Sequence, residues 1–167
     1  MRKEIYWIDG FEPGKLAVAP RPRGGEWLED DIGNWKREGV HEVLSLLTRE
    51  EENDLRLQGE SAEVVKNGME FVAFPIADRQ VPQSQAQFAE ILDKVSGDLT
   101  RGRSVLVHCR QGIGRSGLMA ACLLVKAGVS PGAAIDMVSA ARGLAVPETA
   151  EQKEWIERYA ASLSILR

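Results

Sequence analysis

The sequence has little that would suit it to life outside a cell or in a membrane. Only two of its 167 residues are cysteines, Cys109 and Cys122. That is too few for a disulfide framework, so a reducing, cytoplasmic setting is expected. No apolar run approaches the roughly 20 residues a membrane span needs. The first residues, MRKEIYWIDGFEPG, carry charge but no continuous apolar stretch of the kind a secretory leader has. Positive charge is not in excess: 21 Lys and Arg face 25 Asp and Glu, a net charge of −4. That balance argues against general nucleic-acid binding and requires any anionic substrate to be held by a local cationic site. There are two histidines, His41 and His108. Neither belongs to a recognisable cluster of His, Asp and Cys, so no metal and no cofactor is expected. With no internal repeat and no linker-like tract, one domain over residues 1–167 is expected.

What is present is an alternation of short apolar runs and helical patterns. Ile5–Ile8 and Leu16–Ala19 read as edge strands, Val43–Leu47 as a buried strand, and Phe71–Phe74 and Val105–Val107 as further short strands. Trp27–Glu38 reads as a helix stopped by Gly39, and Ser84–Gly97 carries Phe88, Ile91, Leu92 and Val95 at i, i+3, i+4, i+7. Thr48 with Glu51 three residues on forms a capping box, and Arg49-Glu50-Glu51-Glu52 reads as a solvated first helical turn. A helix starts near Arg115 and stops at Gly128. Ser130-Pro131 opens another, and Trp155, Ile156, Tyr159 and Leu163 mark a last amphipathic one. The order predicts an α/β domain with a central, mostly parallel sheet flanked by helices, one side wholly helical near the C-terminus.

One loop concentrates the chemistry. Val105 to Gly117 reads VLVHCRQGIGRSG. It contains a literal G-x-G-x-x-G, but no second strand delivers an acidic residue to a ribose; the nearby Asp136 falls inside a helical pattern. A nucleotide P-loop fits worse, since Cys109 stands at its first glycine and the lysine is missing. Read instead as Cys109-x5-Arg115-Ser116, the loop becomes a phosphate cradle. Gly112 and Gly114 allow close backbone approach, successive N–H groups form a nest, and the next helix adds its positive end. Arg115 adds a planar fork for two phosphate oxygens. These features favour a thiolate, so Cys109 is expected to be a nucleophile and Ser116 to hydrogen-bond its sulfur. His108 is expected to fix the cradle. Cys122 reads as a buried small apolar residue, and His41 as a surface or strand-start residue.

HCRQGIGRSG resembles the HCxxGxxR[ST] signature of the cysteine-dependent protein tyrosine phosphatase superfamily, in its dual-specificity form. The segments GVHEVLSLLTREE, FPIADRQVP, AACLL and SPGAAIDMVSAARG are most similar to the cyclin-dependent kinase-associated phosphatases. The resemblance, from about Leu16 to Tyr159, implies a tyrosine phosphatase-like fold and hydrolysis of phosphate monoesters through a phosphocysteine. It implies Cys109 as nucleophile, Arg115 as phosphate and transition-state binder, and Arg110, Gln111, Gly112, Ile113 and Gly114 as the backbone cradle. Ser116 then assists breakdown of the intermediate, and His108 tunes the cysteine. Asp78, in FPIAD, matches the mobile-loop general acid, a role its place between Pro75 and Pro82 also suits.

One departure stands out. VPETAEQ resembles the glutamine loop, yet Glu148 takes the place of the first glutamine and only Gln152 matches the second. Gln152 is thus a candidate for placing the hydrolytic water, and Glu148 is expected to point away from the phosphate or to sit farther off. Arg142 either offsets a helix dipole or supports the loop, and both readings stay open. Arg79 flanks Asp78 and could meet substrate; Arg21 and Arg23 read as a surface turn, with a cationic rim to the site as the alternative. The expected partner is a phosphorylated protein or peptide, with no nucleic acid and no membrane. The alternatives are a phosphatase for a phosphoinositide or RNA 5′-phosphate, a catalytically weak phosphate-binding module, or a sulfur-transfer or arsenate-reducing protein. The oligomeric state is not legible.

Overall fold

The computed structural model describes residues 4–165. The apolar runs become five strands: β1 (Tyr6–Ile8), β2 (Leu16–Ala19), β3 (Glu42–Ser45), β4 (Glu70–Ala73) and β5 (Val105–His108). Their order across the sheet is β1-β2-β5-β3-β4. β2, β5, β3 and β4 run parallel, and β1 closes one edge antiparallel to β2. Leu16–Ala19 is therefore an interior strand, against the expectation of an edge. Its four residues are all buried, as a strand covered on both faces must be.

Period-two alternation sorts the side chains into two cores. Leu16, Val18, Leu44, Val105, Val107 and Cys109 face one core, with helices α4 (Gln85–Thr100), α5 (Arg115–Lys126), α6 (Pro131–Arg142) and α7 (Ala150–Ile165). Ala19, Val43, Leu47 and Leu106 face the other, with Ile32 and Trp35 of α1 (Leu28–Arg37) and Val64 of α3 (Glu60–Lys66). α5 is apolar nearly all round because it is buried, from Arg115 through to Val125. Among the described residues no helix is long and apolar enough to cross a membrane.

The caps fall where the sequence puts them. Thr48 Oγ1 accepts from the Glu51 N–H at 3.2 Å at the start of α2 (Arg49–Asp54). Ser84 and Ser130 cap α4 and α6 in the same way. Two readings differ. The segment Gly25–Trp27 is a 3-10 turn before α1, and α3, with Glu60 and Val64 its buried residues, is a helix the sequence did not announce.

At the amino ends of the strands, Glu42, Glu70 and Asp98 bring carboxylate oxygens within 4.8 Å of one another, a grouping the sequence did not reveal. Lys94 occupies it, with Nζ 2.9 Å from both Glu42 and Glu70 and 2.8 Å from Asp98. Burial and a hydrogen bond to Asp98 push the Glu42 carboxyl up to about 7, against the pull of Lys94. The folded protein therefore holds a proton that the unfolded chain releases above about 4.5. The stabilisation this gives is complete at low pH and is lost as pH rises through 7. Asp98 and Glu70 are held down instead, so their contributions are lost only in acid. Between pH 5 and 7.5 the wild type should lose stability on the order of 1–3 kcal/mol, and Glu42→Gln should flatten that slope. Urea midpoints at several pH values measure this; parallel curves for the two proteins would sink it.

Candidate active site

β5 ends at His108, and the chain turns through Cys109 to Gly114 before α5 starts at Arg115. The turn needs its glycines. Gly112 has φ +74°, and a Cβ there would lie 2.6 Å from the carbonyl carbon of Ala19. Cys109 is 3% exposed. Its sulfur lies 3.2 Å from Ser116 Oγ and accepts the Gly112 N–H at 3.3 Å. Both contacts stabilise negative charge on sulfur, and the N-terminus of α5 adds its dipole.

Arg115 is 1% exposed and held on three sides. NH1 donates to Glu51 Oε1 at 2.6 Å and to the Ile76 carbonyl at 2.8 Å; NH2 donates to Glu51 Oε2 at 2.9 Å and to Asp78 Oδ1 at 3.1 Å. Burial opposes the charge, but the Glu51 carboxylate, Cys109 and Asp78 together raise the guanidinium above its ordinary value. The same contact, helped by the Thr48 N–H, holds Glu51 below its ordinary value despite its burial. Glu51 is thus no solvated helix-start residue: it serves the capping box and the arginine at once. Its place is set by the sheet, because β3 lies beside β5 and α2 follows β3 directly.

Asp78 reaches the site from the loop after β4. The Ile76 N–H bonds to the Leu46 carbonyl at 3.0 Å, which lays this loop across the end of β3. The Asp78 side chain remains 52% exposed at the mouth. Its neighbour Arg79 has φ +64° and pairs with Glu148 at 3.2 Å. Asp78, Arg79, Cys109, Arg110, Gln111, Gly114, Arg115 and Glu148 line one cavity of about 220 Å³. Glu148 thus lines the cavity rather than sitting farther off, with its carboxylate turned to Arg79. The Arg79 cation offsets its charge there. Ile113 lies against the first core rather than at the mouth.

Gln152 is fully buried beside Gly114. Its Oε1 accepts the N–H groups of Glu148 and Thr149 at 3.1 Å each, and its Nε2 donates to the Gln80 carbonyl at 3.2 Å. It joins the start of α7 to the loop that carries Asp78. Arg142 resolves to loop support: Nε donates to the Gly112 carbonyl at 3.0 Å and NH2 to the Gln111 carbonyl at 3.1 Å. Its guanidinium stacks 4.3 Å above the Tyr6 ring. Arg23 belongs to the Asp31 ion pair, at 2.6 Å, and not to a cationic rim. His41 is exposed and accepts the Ser104 N–H at 2.8 Å. Cys122 is fully buried, and burial pushes its thiol well up.

His108 sits behind the loop, on the α1 and α3 side. Nδ1 lies 3.3 Å from the Cys109 carbonyl, and Nε2 lies 2.6 Å from Glu60 Oε2. Neither Glu51 nor Glu60 was singled out from the sequence as a site residue. For Glu51 the capping pattern was visible but explained it too easily. For Glu60 the usable signal was weak: an acidic residue four before Val64, both on the inner side of a two-turn helix.

Comparison with known proteins agrees with this geometry. The family model described as "Swiss Army Knife protein, DSP-PTPase phosphatase domain" matches residues 4–159. Human cyclin-dependent kinase inhibitor 3 is 30% identical over 139 residues, which is 82% of this chain and 65% of that protein. This chain thus spans a little under two thirds of that curated relative. A putative tyrosine phosphatase, 197R, of invertebrate iridescent virus 6 is 34% identical over 107 residues, 61% of this chain and 38% of that protein. Among solved structures, kinase associated phosphatase with its catalytic cysteine replaced by serine superposes with a TM-score of 0.89 at 25% identity, covering 98% of this chain and 97% of its own. Tk-PTP in its active form gives a TM-score of 0.79 at 30% identity, covering 96% and 99%. A family-model match over residues 4–159, nearly the whole sequence, places the chain in the DSP-PTPase domain family.

Proposed function

We propose that the protein hydrolyses phosphate monoesters of phosphorylated proteins or peptides, in one phosphatase domain, with Cys109 as nucleophile. The observation that carries this reading is the convergence of Cys109, Arg115 and Asp78 on one small cavity. The Cys109 thiolate attacks phosphorus as the P–O bond to the substrate alcohol or phenol breaks. Asp78 gives the leaving oxygen its proton. In the second step Asp78 takes a proton from water, which attacks the phosphocysteine, and the sulfur leaves as a thiolate with Ser116 donating to it. Arg115 and the amides from Arg110 to Gly114 hold the equatorial oxygens throughout, supplying charge stabilisation without a metal. Gln152, buried with its amide engaged by Glu148, Thr149 and Gln80, holds the Asp78 loop in place rather than meeting that water itself.

The guanidinium sets the sequence of contacts. Both NH1 hydrogens lie on Glu51 and Ile76, and one NH2 hydrogen lies on Glu51. An arriving phosphate must take Nε–H and the NH2 hydrogen that Asp78 now accepts. Asp78 is thereby released toward the leaving group as the phosphate settles. The rim favours a single phosphate: Glu148 would repel the extra phosphates of an inositol headgroup, and the loop carries Gln111 and Ile113 rather than lysine. A free thiol at Cys109 suits a reducing compartment.

The test is a panel of phosphotyrosine and phosphothreonine peptides, a phosphoinositide, an RNA 5′-phosphate and an activated aryl phosphate, assayed in EDTA. Peptide turnover should persist in EDTA and exceed that on the other two biological substrates. Asp78→Asn should slow peptide hydrolysis about 10²–10³-fold and the aryl phosphate far less, because only a poor leaving group needs the proton. Loss of activity on chelation would sink the cysteine mechanism, and equal losses on good and poor leaving groups would remove Asp78 as the acid.

A further inference from the structure

We propose that Arg79 and Glu148 are positioning residues for this reaction: their ion pair latches the Asp78 loop to the segment that opens α7, and so sets where the acid stands over Cys109. The inference rests on the reading of Asp78 as the acid and extends it to two residues that carry out no step themselves.

The loop has two anchors and an open span between them. Ile76 is buried, its N–H on the Leu46 carbonyl and its carbonyl on Arg115. Pro82 is buried as well. Ala77, Asp78, Arg79 and Gln80, which lie between, are all exposed. A bond from the Gln80 N–H to the Ala77 carbonyl at 2.9 Å shapes this span but does not tie it to the rest of the molecule. Among the described residues, three polar contacts do. Asp78 accepts from Arg115 at 3.1 Å, Arg79 pairs with Glu148 at 3.2 Å, and the Gln80 carbonyl accepts from Gln152 Nε2 at 3.2 Å. The first is the contact that an arriving phosphate takes over. From then on the acid is held over the phosphorus by its two neighbours, both bound to the segment 148–152.

That segment is a fixed point. Gln152 Oε1 accepts the N–H groups of Glu148 and Thr149 at 3.1 Å each, and the Gln152 N–H donates to Thr149 Oγ1 at 3.1 Å. The segment also rests on the cradle. A Cβ on Gly114 would lie 3.0 Å from Gln152 Oε1 and 3.1 Å from Glu148 Cβ, so the missing side chain lets the two meet. One element thus touches the phosphate loop on one side and the acid loop on the other. Arg79 makes its half of the contact from an unfavourable backbone. Its φ of +64° lies in the left-handed region, which residues with a side chain rarely adopt. Glycine would take that conformation freely but supplies no cation. The pair is partly solvated, with side chains 61% and 27% exposed. It therefore shifts an open–closed balance a few-fold rather than locking it, and salt screens it.

Two measurements test this. Arg79→Asn removes the charge and keeps a residue that tolerates the left-handed backbone; Glu148→Ala removes the partner. Opening the span breaks the Gln80 bond, so solvent exchange of the Gln152 side-chain amide hydrogens, followed by NMR without substrate, reports it. Exchange should quicken about threefold in either variant, no further in the double variant, and by a similar factor for the wild type in about 1 M salt. Unchanged exchange in the single variants, or effects that multiply in the double, overturns the latch. The second measurement is kcat/KM over a series of aryl phosphates with rising leaving-group pKa. The poorest leaving group should lose about threefold more than the best in either variant, because only the poorest needs the proton. A loss uniform across the series overturns the proposal, since removal of a direct contact with the phosphate has that signature. The acid reading fails separately: Asp78→Asn would then lose equally across the series, while Gln152 exchange still reports the latch.

Discussion

Cys109→Ser should abolish turnover, by about 10⁴-fold or more, while leaving the fold and substrate binding in place. The magnitude follows from the chemistry of the atom. A serine hydroxyl in this position would face the same Gly112 N–H and Ser116 hydroxyl that contact the sulfur at 3.3 and 3.2 Å. Those contacts cannot ionise an alcohol at neutral pH, so no nucleophile remains. Binding survives because the guanidinium and the cradle amides are untouched. The replacement is smaller than cysteine and also tolerates hydrogen bonds, so the local packing holds. A phosphotyrosine peptide should therefore still raise the melting temperature of the variant in a concentration-dependent way. Residual turnover within tenfold of wild type would end the covalent mechanism; loss of the peptide's stabilising effect would mean that Cys109 is needed for binding rather than chemistry.

The second large effect is expected at Glu51. Glu51→Ala should cost about 3–5 kcal/mol, because it leaves the buried Arg115 guanidinium with only the half-exposed Asp78 as counter-charge. The capping box at Thr48 also loses its Glu51 half, while Thr48 Oγ1 keeps the backbone N–H of residue 51. Stability and activity separate in Glu51→Gln. The amide oxygen still accepts from one arginine nitrogen and from the Thr48 N–H, so much of the fold should remain. The fork is no longer gripped at two points, and Arg115 loses its fixed orientation toward the phosphate. We expect peptide kcat/KM to fall about 10²-fold in a variant that still unfolds cooperatively. Urea denaturation with steady-state kinetics on the same samples tests this; an unchanged kcat/KM would show that Glu51 serves stability alone. The wild-type contribution has a pH limit as well. The Glu51 carboxyl is held below its ordinary value, so its stabilisation is present at neutral pH and is lost in acid as that carboxyl takes up a proton.

The contrast between Glu51 and Cys109 shows what could be read from the sequence. The loop was legible because its parts are contiguous. Strand, Cys109, two glycines, Arg115, Ser116 and helix follow in order, and each has a local physical reason. The parallel sheet was legible too, from strands and helices taken in turn. Glu51, Glu60, Arg142 and Gln152 act on the site across the fold, and their sequence neighbours explain them locally: a cap, a helix start, a helix end, a first turn. Arg142 is 30 residues from the carbonyl it bonds, and Glu51 is 64 from Arg115. Strand order decides such meetings. The order was the least readable part, since Leu16–Ala19 looks like an edge strand until β5 is placed beside it. Glu148 follows the same rule: the cation that screens it, Arg79, comes from another loop.

Arg142 has one more effect. In a planar trans peptide the carbonyl and the amide hydrogen point in opposite directions. By drawing the Gln111 and Gly112 carbonyls outward, Arg142 turns the amides of Gly112 and Ile113 inward, and the Gly112 N–H does meet the Cys109 sulfur. A side chain that never touches substrate thus sets the polarity of the anion site from outside, by rotating two peptide planes. On the function proposed above, an arriving phosphate would find its donors already facing it, held there by an arginine that rests on the Tyr6 ring.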